Sequence, residues 1–110
     1  MIKGLTGKDF TARIIKGTGI AIVQFKTEWN GGCQIIAPIY EELSKCYAAK
    51  ASFFIIDTDK EKQIADSYGI TELPAILFFK GGQLTDHITG LTPRHVLIEK
   101  IEEAITGAPD

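Results

Sequence analysis

Apolar positions along the chain switch between two periods, short runs of the kind a strand needs and the three-to-four-residue recurrence of a helix. Phe10 and Ile14 fall at helical spacing and predict a helix over Lys8 to Lys16, ended by Gly17-Thr18-Gly19. The stretch Ile20 to Phe25 is apolar except at Gln24. It predicts a strand buried on both faces and central in its sheet. After Asn30, Ile35, Ile39, Leu43 and Tyr47 recur every four residues, with Ile36 and Tyr40 widening the stripe. This is a long amphipathic helix, with a kink expected at Pro38.

Phe53 to Ile56 reads as a second buried strand, and Lys60 to Tyr68 as a short helix that Gly69 ends. Ala75 to Phe79 and Leu84 to Ile88 flank Gly81-Gly82, a hairpin signal that makes these two strands antiparallel. Val96, Leu97, Ile101 and Ile105 supply the apolar face of a last helix, with Thr92 as its cap and Pro93 in its first turn. The order predicts an α/β fold, a mixed sheet with helices on both faces.

Length and charge narrow the picture. The 110 residues are enough to bury a core without metal or disulfide staples, and they predict one domain over residues 1–110. A hydrophobic share of 45% excludes a disordered chain, and a net charge of −2 with mixed signs provides no footprint for nucleic acid. No apolar segment follows Met1, and none approaches the roughly 20 residues of a membrane span, so a cytoplasmic monomer with no membrane partner is expected.

Two cysteines carry the candidate chemistry. Cys33 and Cys46 lie 13 positions apart within one predicted helix, roughly 20 Å along its axis, and cannot bridge one another. His87 and His95 make no ligand spacing with either thiol, so neither a metal nor a cofactor is expected. Cys33 sits at a strand-to-helix junction, where reactive thiols often occur. The helix dipole favours its thiolate and burial opposes it, with no basic neighbour in sequence to help, so a slow, structural thiol is expected. Cys46, toward the helix end, is expected to pack in the core. Asn30 suits an N-cap that accepts from the amide of Gly32 or Cys33. Gly31 and Gly32 in the first turn cost about 0.5 to 1 kcal/mol each relative to alanine, which points to a loosened helix start or the close approach of another backbone. Trp29 is either a contact residue or a partly buried apolar cover. Pro74 reads as a strand-initiating proline, and Gly90 as a strand end or part of a concave surface.

Val23-Gln24-Phe25 leading to Glu28-Trp29, then Ile36-Ala37-Pro38, Asp57 and Asp59, Tyr68-Gly69-Ile70, Leu73-Pro74-Ala75 and Phe79-Lys80-Gly81-Gly82 resemble the thioredoxin family over nearly the whole chain. The resemblance implies a thioredoxin fold with about five strands, a cis bond before Pro74, and redox exchange with protein thiols. It also exposes departures. Where the family has Trp-Cys-Gly-Pro-Cys, this chain has Trp29-Asn30-Gly31-Gly32-Cys33, so Asn30 replaces the attacking thiol, Gly32 replaces the proline, and the resolving position survives as Cys33. The family's buried aspartate and its neighbouring lysine fall on Gln24 and Ile55. Gln24 cannot take a proton near neutral pH and Ile55 cannot hold a charge. The expected function is a binding module for extended polypeptides whose surface includes Trp29, Asn30, Leu73, Pro74 and Gly90. The alternative is a monothiol oxidoreductase that forms mixed disulfides with protein thiol partners through Cys33. Iron–sulfur ligation, as in monothiol glutaredoxins, is disfavoured because those proteins keep the first cysteine.

Overall fold

The computed structural model describes residues 2–107; Met1 and residues 108–110, the ends of the expected domain, lie outside it. Five strands, β1 (Lys3–Gly4), β2 (Ile20–Lys26), β3 (Ser52–Asp57), β4 (Ala75–Lys80) and β5 (Gln83–Thr89), form one sheet in the order β1-β3-β2-β4-β5. The apolar run places β2 in the middle, parallel to β3 and antiparallel to β4. β1 is only two residues long and pairs with β3, too short for its apolar pattern to reveal. β4 and β5 pair antiparallel across Gly81-Gly82, both at positive φ, with a register shift at Phe78/Phe79. The register opposes Gln24 to Ile55 on one side and Ile76 on the other. Residues opposite one another share a sheet face, so Gln24 and Ile55 lie side by side.

Helices cover both faces. Phe10 and Ile14 pack with Ala65 against Val23, Phe25, Leu77 and Phe79. On the other face Ile36, Tyr40 and Leu43 join Leu97 and Ile101 over Ile22, Phe53, Ile76 and Phe78. The first group of helices comprises α1 (Gly7–Phe10) and α3 (Lys62–Ser67), the second α2 (Gly31–Cys46) and α4 (Arg94–Thr106). Tyr40 anchors α2 to the sheet: its fully buried hydroxyl lies 2.8 Å from the Phe54 carbonyl and 3.0 Å from the Ile22 carbonyl. Burial pushes its phenol far above the usual range. Such a hydrogen bond contributes about 0.5 to 1.5 kcal/mol net.

Several elements depart from the periodicity. The helix expected over Lys8 to Lys16 is the four-residue α1, capped by Thr6, followed by a π-type turn over Thr11–Ile15 with a 2.9 Å bond from the Lys16 amide to the Thr11 carbonyl. The wider turn still sets Phe10 and Ile14 on the sheet. The helix expected over Lys60 to Tyr68 is shorter, Lys62–Ser67, because the chain first makes turns on the Asp57 carbonyl. Pro38 lies inside α2, which remains a single helical element. Thr92 does not cap α4. The cap position is Pro93, which has no side-chain donor or acceptor, and the Thr92 hydroxyl instead donates to the Gly90 carbonyl at 3.1 Å. Ile35, expected on the apolar stripe, is 57% exposed, since Ile36, Tyr40 and Leu43 define the buried face. Cys46 is also exposed, contrary to its expected core packing, because it follows the buried Leu43 and Ser44 around the last turn into solvent.

Candidate functional site

The site forms where β2 gives way to α2. Asn30 takes an extended conformation and its side-chain oxygen accepts from the Cys33 amide at 2.9 Å. This selects Cys33 between the two expected donors and satisfies one of the free amides at a helix start. The Gln34 amide side chain donates to the Glu28 carbonyl at 2.9 Å, a second clasp on the same loop. Asn30 therefore serves as the cap of α2, and its side chain carries no nucleophile.

Gly32 is explained by a close approach. A Cβ there would stand 3.0 Å from Pro74 Cδ and 3.2 Å from the Asn30 side-chain oxygen. The nearest partners are the Pro74 ring and the cap oxygen, with the Leu73 backbone carbonyl 3.9 Å from the same point, so of the two alternatives a close approach is the one found. The Leu73–Pro74 peptide bond is cis. The Gly90 amide donates to the Pro74 carbonyl at 2.8 Å, so the end of β5 is tied to the start of β4. Gly90 has φ +81°, and a Cβ would collide with the Glu72 carboxylate. Glycine meets both demands. Asn30, Gly32, Leu73, Pro74 and Gly90 thus form one continuous surface, in which Pro74 is buried and Leu73 partly exposed. Trp29 is 84% exposed, which overturns its reading as an apolar cover.

That surface is the rim of the site; the buried group around Cys33, whose cavity is lined by other residues, is its floor. Cys33 is 3% exposed. It shares a cavity of about 230 Å³ with Gln24 and the partly buried Ile55. The Gln24 side-chain nitrogen is buried and has no hydrogen-bond partner among the described residues. Neither Gln24 nor Ile55 can relay a proton to or from the sulfur. Cys33 and Cys46 are both free thiols.

Sequence reasoning missed three residues here. Ile35 follows Cys33 by two positions and Leu91 follows Gly90; each is an exposed apolar side chain, at 57% and 55%. Glu72 lies over Gly90. Adjacency to Gly90 was the one signal available for Leu91, while the helical stripe pointed the wrong way for Ile35.

Comparison with known proteins identifies the family. The family described as Thioredoxin matches residues 1–103. The chain is similar to Thioredoxin 2 of Chlorobaculum tepidum, 33% identical over 100 residues that cover 91% of this chain and 92% of that protein. It is 42% identical over 84 residues to the chloroplastic Thioredoxin M-type of Pisum sativum, covering 76% of this chain and 49% of the plant protein. Thioredoxin M4, chloroplastic, of Arabidopsis thaliana is 34% identical over 101 residues, 92% of this chain and 52% of its own length. The chain spans about half the length of these plant relatives.

Proposed function

The chain belongs to the thioredoxin family, and from that premise we propose that it acts chiefly as a thiol-independent binding module for extended polypeptides. The observation that carries this reading is the contrast within one motif: Trp29 stands 84% exposed while Cys33, four residues on, is 3% exposed with no thiol at position 30. Dithiol exchange requires a second sulfur to release the mixed disulfide, and position 30 supplies a helix cap. A docking surface requires exposed apolar area and backbone groups that an extended chain can pair with. Trp29 and the partly exposed Leu73 offer the apolar area and the backbone of Leu73 the pairing groups, while Pro74 and Gly90, bonded to one another, hold the bend beside them. The partner is a polypeptide segment in extended conformation, held by main-chain hydrogen bonds beside Leu73 and by apolar contact with Trp29. The same reading makes the protein a single-domain monomer that works without a cofactor in the cytosol, with the plastid as the competing compartment that the chloroplastic relatives suggest.

Peptides selected from a displayed library test the reading. Their affinity, followed by titration calorimetry, is expected to be equal for the unaltered protein and Cys33→Ser, with and without dithiothreitol. Binding that required Cys33 and vanished with reductant would replace this reading with the second one. That second reading is a monothiol oxidoreductase forming mixed disulfides through Cys33, and it draws on the cavity that reaches the buried thiol.

A further inference from the structure

The two ends of the sheet differ in charge. β2 and β3 start, and β4 finishes, at the end away from Cys33. The segments that meet there, 11–20, 43–53 and 77–85, carry Arg13, Lys16, Lys45, Lys50 and Lys80 and no Asp or Glu, although the whole chain has a net charge of −2. A cavity of about 470 Å³ opens at this end, beside the start of β3. Arg13, in the Thr11–Ile15 turn, and Lys45, in the last turn of α2, both line it, and these two elements pack on opposite faces of the sheet. No carboxylate is among the described residues of its wall. Glu41, one turn before Lys45, lines the cleft of Cys33 instead, and Glu102 of α4 accepts from the Tyr47 hydroxyl at 2.6 Å. The ion pairs among the described residues are Arg94–Glu42 and Lys100–Asp86, so neither Arg13 nor Lys45 has an acidic partner there. Exposed cations are ordinary on a surface. Here two of them from separate elements line one concavity whose apolar wall includes Ala48, Ala51 and Phe53, and such walls concentrate their field.

We propose that this cavity binds a phosphate group, held between Arg13 and Lys45 with the Ser52 hydroxyl as a further donor. Two cations without an acid match a dianion, whereas a single carboxylate would leave one of them unmatched. The planar guanidinium of Arg13 suits two phosphate oxygens at once, and the Lys45 ammonium acts as a point charge. The volume lies within the range of about 300 to 1,000 Å³ usual for small-molecule sites, so the phosphate is either free or the head of a small ester whose organic part rests against Ala48, Ala51 and Phe53. The cavity shares no lining residue with the docking surface or with the cleft of Cys33, so this proposal and the docking reading stand or fall separately.

Titration of the isotope-labelled protein with sodium phosphate, and separately with phenyl phosphate, at an ionic strength held constant with sodium chloride, tests this by amide NMR shifts. The expected result is saturable shifts at Arg13, Lys45 and Ser52 and none at Trp29 or Gly90. Tighter binding of phenyl phosphate assigns the ester as the ligand, and equal binding assigns the free anion. Arg13→Gln and Lys45→Gln should each weaken binding about fivefold, the scale of one charge contact in water. Lys16→Gln and Lys50→Gln remove the same charge from the same end but outside the cavity, and should change it by less than about twofold. All four side chains are exposed, so each variant is expected to keep the fold. Shifts that do not saturate, shifts that sodium chloride alone reproduces, or an equal loss in all four variants overturns the proposal.

Discussion

Rim and floor of the site differ in what they ask of individual atoms. At the rim, Gly90 is bonded to Pro74, a cis bond precedes Pro74, and Trp29 stands in solvent. These features rest on backbone geometry and on where the loops end, which the whole core maintains. At the floor, the family resemblance implies a thiol at position 30, a proton acceptor at position 24 and a cation at position 55, and the chain has Asn30, Gln24 and Ile55. On the reading proposed above, recognition is carried by the architecture and exchange chemistry by a few functional groups, so the two can be tested apart.

The largest expected effect comes from returning chemistry to the floor. The unaltered protein should reduce a protein disulfide by dithiothreitol no faster than the uncatalysed rate. Asn30→Cys should form a disulfide with Cys33 and show catalysis, yet remain about 10² to 10⁴-fold below a site with general acid–base help. Adding Gln24→Asp should recover part of that gap. An insulin reduction assay measures all three, and a double variant no faster than the single one would show that Gln24 is not the handicap.

At the rim, Trp29→Ala should weaken binding of a selected peptide about tenfold, the scale of an exposed aromatic anchor in an interface. Leu73→Arg should do at least as much. Calorimetry gives the affinity, and unchanged thermal unfolding shows that the loss is local. Equal affinities would move the docking surface elsewhere.

Asn30 joins the two regions, since its cap bond fixes the helix start beneath the rim. Asn30→Ala should cost about 1 kcal/mol in denaturant unfolding. Asn30→Ser should recover most of the loss.

The smallest effect lies away from the site, where it serves as a control. The Lys100 amine bonds the Asp86 carboxylate at 2.9 Å, with both side chains about one-third exposed. Burial alone would raise the Asp86 carboxyl, but the Lys100 hydrogen bond, the His87 amide and the charge of Lys100 hold it below its usual value. The carboxylate's contribution is therefore present above the ordinary carboxylate range and lost as pH falls through the lowered folded value. Asp86→Asn should cost a few tenths of a kcal/mol at neutral pH, and the difference should vanish in acid. A difference that persisted at low pH would mean that asparagine disturbs β5 itself.

The sequence by itself determined the elements whose signals are local. The apolar run of β2, the Gly81-Gly82 hairpin and the long helix after Asn30 follow from residue type and period, and the missing thiol at position 30 is legible letter by letter. Only the tertiary structure decided matters of direction and contact. Periodicity leaves a helical stripe uncertain by a residue, so it could not tell that Ile35 and Cys46 turn to solvent while Ile36 and Leu43 turn inward. The cap of α4 shifted because the Thr92 hydroxyl found a nearer carbonyl at Gly90. The crowding at Gly32 comes from Pro74, 42 residues away in the chain. That the Gln24 nitrogen has no partner among the described residues could not be read from the letter Q, because a partner is a property of neighbours that β3, β4 and α2 bring together only on folding.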